Sequence, residues 1–155
     1  MISNSDLKYF EKLKQKKYRD EENKFLIEGV HLIEECLKSD IYRSKLEKIF
    51  VREDFNNDKA FESIKNSDHY AEIDFIPVSK FSKLSETVNS QGIIGLISKP
   101  DVTINRAKKE NENLIVIAIE SINDPGNLGT IIRNCHWFGI DELIIGNNSV
   151  DVYNS

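Results

Sequence analysis

Residues 114–145 read LIVIAIESINDPGNLGTIIRNCHWFGIDELII, and this stretch has the most informative pattern in the chain. The six residues from Leu114 to Ile119 are all apolar, which is typical of a strand buried on both faces of a mainly parallel sheet. After a short loop, apolar residues recur with helical periodicity between Asn127 and Phe138. The segment from Glu142 to Ile145 predicts a second buried strand. The order of strand, loop, helix and strand indicates the beginning of a parallel α/β domain.

The predicted helix has two distinct faces when its residues are placed about 100° apart. The apolar face consists of Leu128, Ile131, Ile132, Cys135 and Phe138. The polar face consists of Asn127, Thr130, Arg133, Asn134 and Trp137. The loop before the helix follows the carboxyl end of a parallel strand, which is where open α/β sheets bind ligands. An arginine at this position can bind a phosphate through two parallel hydrogen bonds, or it can be an ordinary surface arginine.

The smaller residues of this segment also have purely structural explanations. Asn127 can cap the helix, and Gly129 can let the helix approach the strand. A dinucleotide-binding loop is a further alternative, which would make the protein a binder of small nucleotides. Gly126 and Gly129 supply only two glycines, however, and no acidic residue ends the next strand. We therefore disfavour a dinucleotide site.

The residues before this stretch alternate between helical and strand patterns. Helices are predicted around Leu7, Phe10 and Leu13, with Ser5 or Asp6 as the cap, and at 30–38, 58–66 and 79–88. Strands are predicted at 25–27, 46–51, 73–78 and 92–97. This alternation predicts a small α/β sandwich over residues 1–98. Residues 99–113 are predicted to be a linker, and residues 114–155 an incomplete second domain, because two strands and one helix leave sheet surface uncovered.

Composition excludes several classes of protein. Hydrophobic residues make up 39% and charged residues 30% of the chain, which is typical of a globular protein. No apolar run approaches the roughly 20 residues of a membrane span, so we expect a cytoplasmic protein without a membrane partner. Cys36 and Cys135 lie on apolar helix faces and are expected to be buried thiols. The three histidines are far apart in sequence, so no metal site is expected.

A basic segment stands out against the overall net charge of −5. Between Lys8 and Arg19 there are six basic residues and one acidic residue, Glu11. Phosphate contacts dominate nucleic-acid affinity, so the segment and Lys24 are candidates for RNA binding. The candidate residues are Lys8, Lys12, Lys16, Lys17, Arg19 and Lys24. A solvated helix face is the alternative.

Several segments together resemble one protein family. NDPGNLGTIIR at 123–133 and WFGI at 137–140 resemble the first signature motif of the SpoU/TrmH family of RNA ribose 2'-O-methyltransferases, which have a trefoil-knotted α/β domain. KFLIEG at 24–29 and NSQGI at 89–93 resemble parts of that family's N-terminal substrate-binding domain, a ribosomal-protein-like α/β module. VDVYN at 150–154 resembles the stretch that leads to the second motif. The resemblance covers essentially the whole chain.

The resemblance implies a reaction and two site residues. Family members transfer a methyl group from S-adenosylmethionine to a ribose 2'-hydroxyl of rRNA or tRNA, and they are homodimers. Asn127 and Arg133 match the asparagine and the arginine of the catalytic centre. Since arginine stays protonated, we expect Arg133 to hold a phosphate and to stabilise negative charge on the 2'-oxygen. Asn127 would orient the ribose or the arginine.

The family's later motifs have no counterpart in this chain. The second and third motifs, which bind the cofactor, would come after residue 155. We therefore expect this chain to be a C-terminally truncated enzyme that has no cofactor site and is inactive alone. The alternative is a non-catalytic RNA-binding module.

Overall fold

A computed structural model describes residues 2–101 and 114–154, which form two compact units. The helices of the first unit are α1 (Asn4–Lys12), α2 (Lys16–Glu22), α3 (Val30–Lys38), α4 (Asp40–Arg43), α5 (Asp58–Lys65) and α6 (Val78–Leu84). Its strands are β1 (Lys24–Glu28), β2 (Leu46–Arg52), β3 (Glu72–Ile76) and β4 (Ile93–Ser98). The second unit contains β5 (Val116–Ile119), α7 (Pro125–Trp137) and β6 (Glu142–Ile145). The predicted α/β class is confirmed, while the predicted linker at 99–113 lies outside the described residues from residue 102 onward.

The sheet of the first unit has the strand order β1-β4-β2-β3. Strand β4 is antiparallel to both of its neighbours, whereas β2 and β3 are parallel. Leu96 lies opposite Leu26 on one side and Lys48 on the other. The residues of β4 from Ile93 to Ile97 are all buried. Because neighbouring residues of a strand point to opposite faces, both faces of the sheet must be covered.

Helices provide the cover on the two faces. One face carries a continuous hydrophobic cluster of Ile2, Leu7, Phe10, Leu13, Leu26, Phe50, Ile76, Phe81, Leu84, Ile94 and Leu96. This cluster brings α1 and α6 onto the sheet. The alternate strand residues Ile49, Val51 and Ile93 are also fully buried, as are Ile33 of α3 and Ile64 of α5. These helices therefore supply cover for the alternate strand positions, and the sandwich predicted from the sequence forms.

The first helix begins earlier than predicted. Ser3, and neither Ser5 nor Asp6, is the N-cap of α1. The Ser3 hydroxyl accepts a hydrogen bond from the Asp6 backbone N–H, and the Asp6 carboxylate accepts one from the Ser3 N–H. This reciprocal pair is a capping box, which satisfies two N–H groups that the helix leaves without partners. Asp6 therefore takes part in the cap from the third position of the helix.

Helix α2 was not predicted, and it explains the position of Arg19. Six of its seven residues are charged, and Arg19 is only 2% exposed. The Arg19 Nη1 donates to the carbonyl oxygens of Leu13 at 3.0 Å and Lys14 at 2.7 Å. These carbonyls lie at the end of α1, where the helix itself provides no donors. Arg19 therefore fastens α2 to the end of α1.

A carboxylate fixes the loop that precedes β4. Glu28, at the end of β1, accepts hydrogen bonds from the hydroxyls of Ser85 and Thr87, both at 2.7 Å, and from the Glu86 N–H at 3.1 Å. Burial raises the pKa of Glu28, but these bonds and one from Ser90 outweigh it and hold the pKa below its ordinary value. Helix α6, predicted at 79–88, consequently ends at Leu84.

The second unit forms the predicted elements but leaves part of its sheet exposed. Strands β5 and β6 are parallel, with Val116 opposite Glu142, and α7 buries Leu128 and Cys135. However, Val116 is 41% exposed and Ile144 is 51% exposed. These strands are therefore not buried on both faces among the described residues, which agrees with the prediction that two strands and one helix leave sheet surface uncovered. One helix within 114–154 cannot cover both faces of a sheet.

Gly146 lies where the two parallel strands end. Its N–H donates to the carbonyl oxygen of Ile119 at 2.8 Å. A Cβ added to Gly146 would lie 2.1 Å from the backbone oxygen of Glu120, far inside contact distance. Its φ is not positive, so space and not backbone conformation excludes a side chain at this position.

Both cysteines are free and buried, as predicted. Burial raises the pKa of the Cys36 thiol to about 11, so this thiol is protonated at neutral pH. Within residues 2–101 and 114–154, no group of three or more histidine, cysteine or acidic side chains is arranged to hold a metal ion. None of the helices in the same ranges is long and apolar enough to cross a bilayer.

The role of Arg19 can be tested by comparing it with a surface neighbour. Replacing Arg19 by Met leaves the carbonyls of Leu13 and Lys14 without their donor, and it should lower the free energy of unfolding by about 2 kcal/mol. Lys17→Met, on the exposed side of the same helix, should change it by less than about 0.5 kcal/mol. Urea unfolding followed by far-UV circular dichroism measures both values. Equal losses would contradict the assigned role.

Candidate functional site

The loop between β5 and α7 is held in place by the loop that comes after β6. The Ile122 N–H donates to the Ser149 hydroxyl at 3.2 Å, and the Val150 N–H donates to the Ile122 carbonyl at 2.7 Å. The Ser121 hydroxyl donates to the Asn148 carbonyl at 3.3 Å. Both loops leave the carboxyl ends of parallel strands. The sequence pattern therefore forms a fixed loop at the sheet edge where α/β proteins bind ligands.

Helix α7 is capped by Asp124 and not by Asn127. Asp124 has extended backbone angles, and its Oδ1 accepts a hydrogen bond from the Asn127 N–H at 2.6 Å. Pro125 occupies the first turn, where its missing N–H has no consequence. The interpretation of Asn127 as a helix cap is therefore wrong. Its side-chain amide is exposed and has no hydrogen-bond partner among the described residues.

The Arg133 side chain lies along the helix toward its N-terminal end. Its Nη2 donates to the Thr130 hydroxyl at 3.1 Å, and that hydroxyl donates to the Gly126 carbonyl at 2.9 Å. A Cβ added to Gly129 would lie 3.2 Å from the Arg133 Nη1, so the guanidinium passes over Gly129. Apart from the adjacent residues and the backbone of α7 itself, the three heavy atoms nearest to this added Cβ all belong to Arg133. The interpretation of Gly129 as a site of close helix–strand packing is therefore wrong.

This arrangement can bind an anion and stabilise a developing negative charge. Arg133 uses one of its five N–H donors for Thr130, and the side chain is exposed. The remaining donors can bind phosphate oxygens, because guanidinium matches their geometry. Asn127, also exposed near the start of the helix, offers both a donor and an acceptor to a sugar hydroxyl. These side chains can therefore bind an anion and a neighbouring hydroxyl group.

Four of the six predicted RNA-binding residues are exposed in the segment formed by α1 and α2. These four residues, Lys8, Lys12, Lys16 and Lys17, form the basic patch. The Lys12 and Lys17 Nζ atoms lie 5.3 and 5.6 Å from the centroid of the Tyr18 ring. Lys17 also forms a 3.8 Å ion pair with Glu21. The sequence analysis did not include Tyr18 among the candidate RNA-binding residues, although an aromatic residue within a basic run is a recognisable signal of nucleic-acid binding.

The other two predicted RNA-binding residues have internal partners. Arg19 is buried against the end of α1, so a phosphate cannot reach it, and its prediction as an RNA contact is corrected. Lys24 forms a 2.5 Å ion pair with Glu47, which also accepts a hydrogen bond from Ser98. The positive charge of Lys24 is thus compensated locally. A run of charges in a sequence cannot show which one faces inward.

Comparison with known protein families matches both described units. The profile of the MRM3-like substrate binding domain matches residues 4–95, which is more than half of the chain. The profile of the SpoU rRNA Methylase family matches residues 114–155. The second match contains the loop and helix that carry Asn127 and Arg133.

Individual relatives extend over nearly the whole chain. The 23S rRNA (guanosine(2553)-2'-O)-methyltransferase RlmP of Bacillus subtilis is 34% identical over 153 residues, which are 97% of this chain and 55% of the relative. A crystal structure of an RNA 2'-O ribose methyltransferase is 28% identical, with a TM-score of 0.74, over 98% of this chain and 56% of that one.

The AdoMet-bound rRNA methyltransferase from Sinorhizobium meliloti shares the fold, with 23% identity and a TM-score of 0.74 over 99% of this chain and 56% of its own. This chain spans about half the length of the relatives it matches. With an MRM3-like substrate-binding domain followed by a SpoU methylase region, it belongs to the SpoU/TrmH family of RNA methyltransferases.

Proposed function

We propose that this chain takes part in the transfer of a methyl group from S-adenosylmethionine to a ribose 2'-hydroxyl of rRNA or tRNA. The observation that carries the proposal is the loop and helix at 123–133. Here Arg133 lies over Gly129, and Asp124 caps the helix, so the Asn127 side chain remains available to a ligand. These residues lie within the region that matches the SpoU profile. The Bacillus subtilis relative, whose name states a 2'-O-methylation of 23S rRNA, supports the reaction class.

Arg133 and Asn127 have separate tasks in this proposal. The reacting 2'-oxygen gains negative charge as its proton leaves, and it loses that charge as its bond to the methyl group forms. A fixed guanidinium stabilises that charge and binds the neighbouring phosphate, which places the ribose. Asn127 orients the ribose hydroxyls through its amide. Neither side chain is a general base, because arginine stays protonated and the amide is not basic at neutral pH.

Part of the loop surface at the carboxyl ends of β5 and β6 is not available to the cofactor. The loops after β5 and β6 pair with each other through Ile122, Ser149 and Val150, so these backbone groups are not available to cradle an adenosine. We therefore assign S-adenosylmethionine no contact with these paired groups. When bound, the cofactor supplies an electrophilic methyl group. The tasks of Arg133 and Asn127 concern only the RNA.

The basic patch is proposed as an RNA contact of the substrate-binding domain. Lys8, Lys12, Lys16 and Lys17 are exposed on two consecutive helices, α1 and α2. The Tyr18 ring between two of these lysines offers a face on which an unpaired base can stack. The same patch also favours the second candidate function, a non-catalytic RNA-binding module.

We further propose that the protein functions as a cytoplasmic homodimer. Exposed apolar side chains on the second unit support an association between copies, since Trp137 is 83% exposed and Phe138 is 74% exposed. The location in the cytoplasm is supported by the bacterial relative that acts on ribosomal RNA.

The contribution of the basic patch can be measured through the salt dependence of RNA binding. The double variant Lys12→Glu with Lys16→Glu should bind rRNA more weakly, and its log–log salt slope should fall in magnitude by about 1.5 because two phosphate contacts are lost. Filter binding at several salt concentrations gives the slope.

The control makes the same charge change on another helix of the same unit. Lys59→Glu with Lys65→Glu, both exposed on α5, should leave the slope within error of the native value. If both double variants reduce the slope equally, general electrostatics explains the binding and the patch has no special role.

Catalysis is best tested in a fusion that joins this chain to the remaining part of the Bacillus subtilis relative. The fusion should methylate ribosomal RNA, but not the same RNA with a deoxyribose at the target nucleotide. Arg133→Lys should lower the rate by about 10²-fold, because lysine cannot reproduce the planar fork that stabilises the charge. Transfer of radiolabelled methyl groups measures the rate.

Arg43→Lys provides the matched control, since Arg43 is a surface arginine paired with Asp40 in the first unit. It should retain the full rate. A folded fusion that binds RNA but transfers no methyl group would favour the non-catalytic binding module. Near-full turnover by Arg133→Lys would exclude the proposed task of Arg133.

A further inference from the structure

We infer that Gly129 and Thr130 are positioning residues that set the direction of the Arg133 guanidinium. This inference rests on the proposed function of Arg133 in binding RNA phosphate. An exposed arginine ordinarily samples many conformations and loses that freedom when it binds a ligand. In α7 the side chain is already directed toward the loop end of the helix by two neighbours, one through a hydrogen bond and one through the absence of a side chain.

Thr130 provides the directional contact. A hydroxyl has a single hydrogen to donate, and the Thr130 hydroxyl donates it to the Gly126 carbonyl at 2.9 Å. Its lone pairs are therefore left to accept, and the Arg133 Nη2 donates to them at 3.1 Å. The branched Cβ of threonine also restricts its side-chain rotation. The hydroxyl thus connects Arg133 to the backbone of the first helical turn.

Gly129 provides the space that this contact needs. A Cβ at this position would lie 3.2 Å from Nη1 and 4.0 Å from both Cζ and Nη2 of Arg133. The backbone of Gly129 does not require glycine, because its φ is not positive. Glycine within a helix is less favourable than alanine, so the local backbone gives no reason for it. The position of the Arg133 guanidinium over this residue does give a reason for glycine.

The two contacts leave most of the guanidinium available to a ligand. One N–H of Arg133 is directed to Thr130, and the described residues take up no other. The guanidinium can then donate hydrogen bonds to two oxygens of an RNA phosphate, and its side chain does not first have to be ordered. Thr130 and Gly129 touch neither the phosphate nor the ribose in this proposal, and they act only through Arg133.

The experiment uses the whole 155-residue chain and three substitutions. Thr130→Val keeps the shape of threonine but removes the hydroxyl, Thr130→Ser keeps the hydroxyl, and Gly129→Ala fills the space. The first readout is the Nε–Hε signal of Arg133 in ¹⁵N NMR spectra, identified by its absence in Arg133→Lys. The second is the affinity of each variant for a fragment of 23S rRNA.

Thr130→Val and Gly129→Ala should shift the Arg133 signal and lower RNA affinity roughly 2- to 10-fold, the factor expected for ordering one long side chain. Thr130→Ser should leave the Arg133 signal at its native position and should change the RNA affinity by less than about 2-fold. Gly129→Ala should at the same time raise the temperature of unfolding, because alanine favours the helix. A gain in stability together with a loss of affinity distinguishes positioning from a purely structural role.

An unchanged Arg133 signal in Thr130→Val and Gly129→Ala would overturn the inference. If Arg133→Lys itself binds the RNA fragment as tightly as the native chain, the phosphate role in the proposed function fails. In that case the NMR signal alone still decides whether Thr130 and Gly129 direct the guanidinium.

Discussion

The central position of β4 is the constraint on which the first unit depends. This strand pairs with β1 on one edge and β2 on the other, and its residues from Ile93 to Ile97 are removed from water. A strand of this kind needs hydrogen-bonded partners on both edges and apolar cover on both faces. The helices on either side satisfy the second need, and the Glu28 carboxylate fixes the loop through which the chain enters the strand.

Local patterns predicted most elements of this unit but not their assembly. Strand periodicity located all four strands to within a few residues, since alternating burial is a property of neighbouring residues. The order β1-β4-β2-β3 depends on pairing between distant segments, which periodicity does not contain. Helix α2 was missed because it has a single inward residue among charged ones. That residue, Arg19, also shows why a charge run predicts an exposed surface only in part.

The candidate site was predicted more completely, because one short segment contains it. The loop, the helix and its polar face could be read from the residues between Asp124 and Arg133. The sequence analysis offered Asn127 as a possible cap and missed Asp124, since both residue types favour that position and only backbone angles decide. The number of elements predicted uncovered sheet surface in the second unit, because one helix cannot cover both faces, but it did not show that Val116 and Ile144 would be among the exposed residues.

Gly146 has a consequence for how this sequence can vary. The Glu120 oxygen lies so close that even a methyl group cannot fit, and the loops that leave both strand ends depend on this approach. Every change in the first two bases of a glycine codon introduces a side chain or a stop. Mutation at this codon is therefore tolerated only in its third base.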